Sequence, residues 1–211
     1  MTFPSPFRNL AEHANLFAQQ EQGTQAALPL EIAMQLEGAK FYDLAQPPRA
    51  DAGTTIIASG TATVAPFITQ GFLLDVAHFK GGSLADGYAV TAADLDGAMR
   101  AQGRLIMPGG VILVRTSFGQ FWHEPAKYMN VACLSPDALR WLREKNPHAI
   151  GADSGAWDAS AHESATIIAN LNLEGLAADH VDHFLFIAAP INQMVRPLAI
   201  EVQAQSDFMQ P

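Results

Sequence analysis

Residues 71–77 read Gly71-Phe72-Leu73-Leu74-Asp75-Val76-Ala77, and apart from Asp75 no side chain in the run is polar. A continuous apolar run this short, without alternation, predicts a strand buried on both faces. Such a strand needs helices on either side of its sheet. Working outward, Val111-Ile112-Leu113-Val114 repeats the pattern after the turn Pro108-Gly109-Gly110, and Phe184 to Ala189 supplies a last buried strand. Shorter strands are expected at Phe41-Tyr42-Asp43-Leu44, ending before Pro47-Pro48, at Thr54 to Ile57, and at Ala149-Ile150-Gly151. Between them, Thr91 followed by Asp94 is a capping-box variant that opens a helix carrying Leu95, Ala98 and Met99, closing near Gly103. Ser135-Pro136 opens another, with Leu134 and Leu139 spaced as a hydrophobic staple. Strands alternating with helices specify an α/β domain with a mixed sheet and flanking helices.

Ahead of this domain, Phe7, Leu10, Ala11, Ala14, Phe17 and Ala18 form one helical stripe, and Leu28 to Leu36 reads as a second helix with Pro29 in its first turn. The expected organisation is a helical N-terminal arm over 1–37 and an α/β domain over 38–211. An isolated helix of this length is marginal in water, so the arm is expected to cover an apolar surface of its own domain or of a second subunit.

Composition narrows the function classes. With 211 residues, 49% of them hydrophobic and 16% charged, the chain can bury one sizeable core. A net charge of −9 with 12 scattered basic residues argues against a nucleic-acid partner. The longest apolar run, Phe184 to Ile191, is too short to cross a bilayer, and no secretory apolar run is visible, so a cytoplasmic protein without a membrane partner is expected. The single cysteine, Cys133, excludes an internal disulfide, fits a reducing compartment and reads as a small buried hydrophobe.

The order of segments from Leu28 to Glu201 resembles the cyclase family of metal-dependent hydrolases, which includes arylformamidases (kynurenine formamidases) and isatin hydrolases. The resemblance rests on GAKFYDLA (38–45), GFLLDVAHFK (71–80), YAVTAADL (88–95) and GGVILVRTSF (109–118). It continues through LSPDALRWLRE (134–144), AIGADS (149–154), NLNLEGLAA (170–178), FLFIAAP (184–190) and VRPLAIE (195–201). It implies the family's swivelling β/β/α type of domain, oligomers of identical chains, and a small aromatic amide as substrate. It also implies one or two divalent ions, zinc or manganese, held mainly by an H-x-G-T-H-x-D segment and lowering the pKa of bound water.

This sequence departs from that pattern. Between Leu44 and Gly71 it has no histidine, and Ser59-Gly60-Thr61 retains only a Gly-Thr without ligands around it. Zinc wants imidazole, thiolate or carboxylate, and Asp43 and Asp51 do not replace two histidines and a bridging carboxylate. His162 falls near the family's later metal histidine and is the one metal-ligand candidate that the resemblance carries over. Ala169 stands where a glutamate usually precedes Asn-Leu, and the glycine-rich loop before Val-Arg-Pro is reduced to Asn192-Gln193-Met194. The expectation is a cyclase-family protein related to arylformamidase-type amide hydrolases with reduced or no activity, binding zinc, manganese or no ion. The alternative is a non-catalytic binding or oligomer-forming protein on the same scaffold.

Other constellations have competing readings. His180 and His183 are spaced as a metal pair on one helical face, or belong to an exposed loop. Asp153-Ser154-Gly155 has the look of a serine nucleophile segment but lacks a base and reads as a strand-to-loop turn. Phe118, Phe121, Trp122 and Trp157 either line an aromatic pocket or pack. His78 is expected to be a hydrogen-bonded structural residue, and His123 stays open between the two roles.

Overall fold

The computed structural model describes residues 36, 38–47, 55–57, 64–128, 132–155, 166–189 and 195–201. Lys40–Glu201 forms one compact unit, while Met1–Ala39 and Val202–Pro211 group into another. The arm expected over 1–37 lies, apart from Leu36, outside the described residues.

The described strands are β1 (Lys40–Asp43), β2 (Thr55–Ile57), β3 (Phe67–Asp75), β4 (Ala89–Val90), β5 (Val111–Arg115), β6 (Cys133–Leu134), β7 (Ala149–Ala152), β8 (Thr166–Ala169), β9 (His183–Ala188) and β10 (Leu198–Glu201). Eight of them build one sheet in the order β1-β10-β9-β3-β5-β7-β8-β2, and β4 with β6 makes a small separate ladder. Strands β3, β5, β7 and β8 run parallel. The flanking pairs β1/β10, β10/β9, β9/β3 and β8/β2 are antiparallel. The sheet is therefore mixed, as the sequence predicts.

Strand β3 shows how its sequence divides between two roles. Its first half, Phe67 to Gln70, alternates in burial, whereas Gly71 to Leu74 are all buried. Gly71 sits where a Cβ would come within 2.1 Å of the Phe184 ring on the neighbouring strand, so only glycine lets that ring cross. The strand begins four residues before the predicted start, since the alternating stretch Phe67 to Gln70 lies outside the continuous apolar run that marked it. It ends at Asp75 rather than Ala77. The Asp75 Oδ1 accepts from the His78 backbone N–H at 2.9 Å and opens the short helix α1 (Val76–Phe79).

The capping box forms as expected at α2 (Ala92–Ala101), where Thr91 Oγ1 accepts from the Asp94 N–H and Asp94 Oδ2 accepts from the Thr91 N–H. After α3 (Pro125–Tyr128), Ser135 caps α4 (Pro136–Glu144), and both residues of the expected staple, Leu134 and Leu139, are buried in one core cluster. On one face Leu74, Ile112, Val114 and Ile150 pack under Leu95, Ala98, Leu139 and Leu142. Residues of opposite parity, Leu73, Val111, Leu113 and Ile168, pack with Leu171, Leu173 and Leu176, the last on α5 (Glu174–Ala178). Each fully buried Leu or Ile contributes about 1.5–3 kcal/mol, so the two-sided burial read from residues 71–77 is the main source of stability.

Three expectations need correction. Phe184 to Ala189 is not the last strand, since β10 follows it, and β9 alternates in burial because it lies in the antiparallel part of the sheet. Cys133 is partly exposed rather than buried, because β6 belongs to the two-stranded ladder. Strands β4, β6 and β8 and helix α5 were not anticipated, each being five residues or fewer. No helix of the described residues is long and apolar enough to cross a membrane.

Candidate functional site

The parallel strands β3, β5 and β7 bring their carboxyl ends to one edge of the sheet, which is where open α/β sheets build their sites. Asp75 and Arg115 are register partners there, and Asp153 follows directly on β7. Arg115 is the hub. Its Nη1 donates to Asp75 Oδ1 at 2.9 Å and Oδ2 at 3.1 Å, and its Nη2 and Nε donate to Glu174 Oε2 at 2.7 Å and Oε1 at 3.2 Å. Nη2 also reaches Ser117 Oγ at 3.3 Å. Burial opposes the guanidinium charge, but the bonds and charges of Glu174 and Asp75 outweigh it and hold the Arg115 pKa above its ordinary value.

Behind this triad Asp153 is completely buried. Both of its carboxylate oxygens accept from the Thr116 N–H at 3.0 Å, and Oδ1 also accepts from the Thr116 hydroxyl at 2.6 Å. Burial pushes its pKa up to about 6, the Thr116 bonds work against that, Glu174 adds to it and Arg115 subtracts. The turn reading of Asp153 is therefore incomplete: the side chain ties the end of β7 to the end of β5.

Beyond β5 the chain turns through Ser117, a non-glycine residue in the left-handed region at φ 69°, into a 3-10 turn at Phe118–Phe121. Gln120 Nε2 secures it by donating to the Ser117 carbonyl at 2.7 Å, to Ser117 Oγ at 2.8 Å and to Ser83 Oγ at 3.1 Å. An open basin of about 400 Å³ lies over Arg115, Ser117, Ser83 and Gly81-Gly82. A tighter cavity of about 190 Å³ adjoins it, with His78 lining both. The basin offers the Ser83 and Ser117 hydroxyls to a polar ligand, but its guanidinium is already matched by two carboxylates.

The structure separates several residues that the sequence grouped. His180 and His183 do not share a helical face: His180 follows α5 in a left-handed conformation, while His183 begins β9 with its ring 5.1 Å from that of Phe72. Phe118 and Trp122 are core residues, not pocket lining, and Trp122 Nε1 donates to the Pro47 carbonyl at 2.8 Å. Phe121 packs partly exposed at the edge of that core. His123 is exposed, and the His78 ring is exposed with only its backbone N–H in the cap. Ala169 is buried at the end of β8. His162, Trp157, Asp51, Ser59-Gly60-Thr61 and Asn192 to Met194 lie outside the described residues. Glu174 and Thr116 escaped sequence reasoning, since nothing in NLNLEGLAA or VRTSF marks them as partners of Arg115 and Asp153.

A divalent ion does not fit the described part of this site. No group of three or more His, Cys, Asp or Glu able to hold a metal occurs among the described residues. Asp75 at the end of β3 and Glu174 on α5 are already committed to Arg115, and Asp153 after β7 is buried on the Thr116 N–H and hydroxyl, so an ion there would have to displace a buried guanidinium or those bonds.

The sequence matches the model of the cyclase family over residues 12–159, well over half of the chain. No curated protein matches it in sequence. Among solved structures, one described as a novel cyclase is similar at a TM-score of 0.65 and 18% identity, over 82% of this chain and 92% of that one. Isatin hydrolase A from Ralstonia solanacearum is similar at 0.61 and 18%, over 86% and 98%. A Bacillus stearothermophilus protein described as a "predicted metal-dependent hydrolase" is similar at 0.53 and 18%, over 77% and 98%. The shared architecture is thus that of a cyclase-type α/β domain related to metal-dependent hydrolases. The chain belongs to the cyclase family.

Proposed function

We propose that this chain keeps the scaffold of the arylformamidase- and isatin hydrolase-type amide hydrolases with little or no metal-dependent hydrolysis of its own. One observation carries the reading: Asp75 at the end of β3 and Glu174 on α5 are both ion-paired with Arg115, in a chain with no histidine between Leu44 and Gly71. Without an open-site ion nothing generates hydroxide at neutral pH. Fold alone does not supply that chemistry.

The purified chain, supplied with zinc or manganese, is expected to hydrolyse isatin and N-formylkynurenine no faster than buffer. With no metal supplied, adding a chelator to the purified chain is expected to leave its melting midpoint unchanged, because no tightly held ion adds to its stability. Robust turnover abolished by the chelator would overturn the reading, and His162 would then be the first residue to replace.

A second reading, a homo-oligomeric cytoplasmic binding protein, has its own support. Ile68 and Leu105 are apolar yet 66% and 79% exposed, and Phe41 and Met107 are more than half exposed. Such side chains favour self-association when they are contiguous. Sedimentation at micromolar concentration is expected to give a dimer or larger species, and a monomer would remove this version.

A further inference from the structure

We propose that His78 and His180 form a second, two-imidazole site for a divalent transition-metal ion, apart from the strand-end triad and from His162. Their rings approach edge-on with centroids 5.9 Å apart, although the residues are about a hundred positions apart in the chain. Ring nitrogen to zinc is about 2.0–2.1 Å, so two imidazoles on one ion stand roughly 5–6.5 Å apart by centroid. The observed separation falls in that window.

The backbones that carry the two rings are fixed. His78 lies on α1, its N–H held by Asp75 Oδ1. His180 is a non-glycine residue at φ 56°, held by its own N–H on the Ala177 carbonyl at 3.2 Å and by the Val181 N–H on the Leu176 carbonyl at 2.9 Å. Residues kept in that conformation by their surroundings recur at ligand sites.

The second observation is independent of the rings. Both histidines line the cavity of about 190 Å³, and so does Gln102, whose Oε1 is buried with no hydrogen-bond partner in the structure. Its Nε2 donates to the Leu73 carbonyl at 2.8 Å, which orients the amide. A buried acceptor without a donor is destabilising, and a donor placed in the cavity would relieve it. Water on a divalent ion is a strong donor and would satisfy it. The neighbouring carboxylates are taken, Asp75 by Arg115 and Asp182 by Arg104, so water completes the coordination and two imidazoles set a modest affinity.

Zinc titrated calorimetrically into the metal-stripped full chain is expected to bind with micromolar affinity. His78→Gln and His180→Asn should each weaken it by at least about tenfold. Asparagine tolerates the left-handed region, so the second variant keeps the turn while removing the ligand. His183→Ala, which tests the alternative histidine pair, and His162→Ala should leave binding within about twofold. The melting midpoint of the wild type should rise with excess zinc, and that of His180→Asn should not. No binding at millimolar zinc would overturn the proposal, as would binding that His162→Ala removes and His78→Gln and His180→Asn leave intact. Isatin turnover is read separately, so failure here and failure of the proposed function are distinguishable.

Discussion

Arg115→Ala is expected to lower the stability of the folded chain by about 3–5 kcal/mol at neutral pH. The magnitude comes from what the substitution leaves behind. Asp75 has a side-chain exposure of 13%, and Arg115 itself 14%, so neither is free to recover its hydration in place. Removing the cation leaves two carboxylates close together at the end of the sheet, Asp75 without its Nη1 donor and Glu174 without the paired Nε and Nη2 donors. Glu174 is the more exposed partner at 35% and can turn toward water, so Glu174→Ala should cost less than Asp75→Ala. Arg115→Lys should recover only part of the loss, because an ammonium cannot serve both carboxylates with two parallel bonds. Urea unfolding of the four variants gives these values from midpoint and slope. A loss below about 1 kcal/mol for Arg115→Ala would show that the triad behaves like an exposed ion pair.

The second large effect is conditional on pH. The Asp153 carboxyl titrates near 6 in the folded chain against an ordinary 3.8, with burial as the main cause. Folding therefore takes up a proton at this residue between those values. Stability from this group is fully present below about pH 4, falls as pH rises toward 6, and is lost above it. The loss across that window is about 3 kcal/mol. Asp153→Asn removes the titration while keeping an acceptor for the Thr116 N–H and offering the Thr116 hydroxyl a donor. The variant should therefore gain about 2–3 kcal/mol relative to the wild type between pH 4 and pH 7. Asp153→Ala also removes the titration but strands the Thr116 donors beside a small cavity, so it should cost about 2–4 kcal/mol near pH 4 and about 3 kcal/mol less than that near pH 7. A wild-type-minus-Asn difference that stays flat from pH 4 to pH 7 would refute the assignment of the proton to Asp153.

What the sequence disclosed follows the range of the interaction involved. Residues 71–77 and 111–114 announced buried parallel strands because burial on both faces is written into neighbouring side chains. The cap of α2 was legible because Thr91 and Asp94 are three apart. The site was far less legible. Arg115 stands in GGVILVRTSF directly after a strand that the sequence predicts, but its partners Asp75 and Glu174 are 40 and 59 residues away in sequence. His180 was matched to His183 by local spacing, yet its ring neighbour is His78, which only the fold brings near. Phe118 and Trp122 stayed open between pocket lining and packing, because a sequence does not reveal which side of a short turn faces the core, and the structure places both in the core.

The sheet order also has a consequence for synthesis. Among the described strands, β1 pairs only with β10, with Lys40 opposite Glu201, so the first strand of the unit closes on its last. Closing so long a loop adds little to its entropic cost, since that grows only as the logarithm of length. In time, however, it matters. As the chain leaves the ribosome, β3, β5, β7 and β8 can pair in order of appearance, while β1 waits beside them with its backbone donors and acceptors unmatched. A strand edge left open in that way is a template for another nascent chain. Lys40 and Asp43, at its two ends, are the charges that blunt it during the wait.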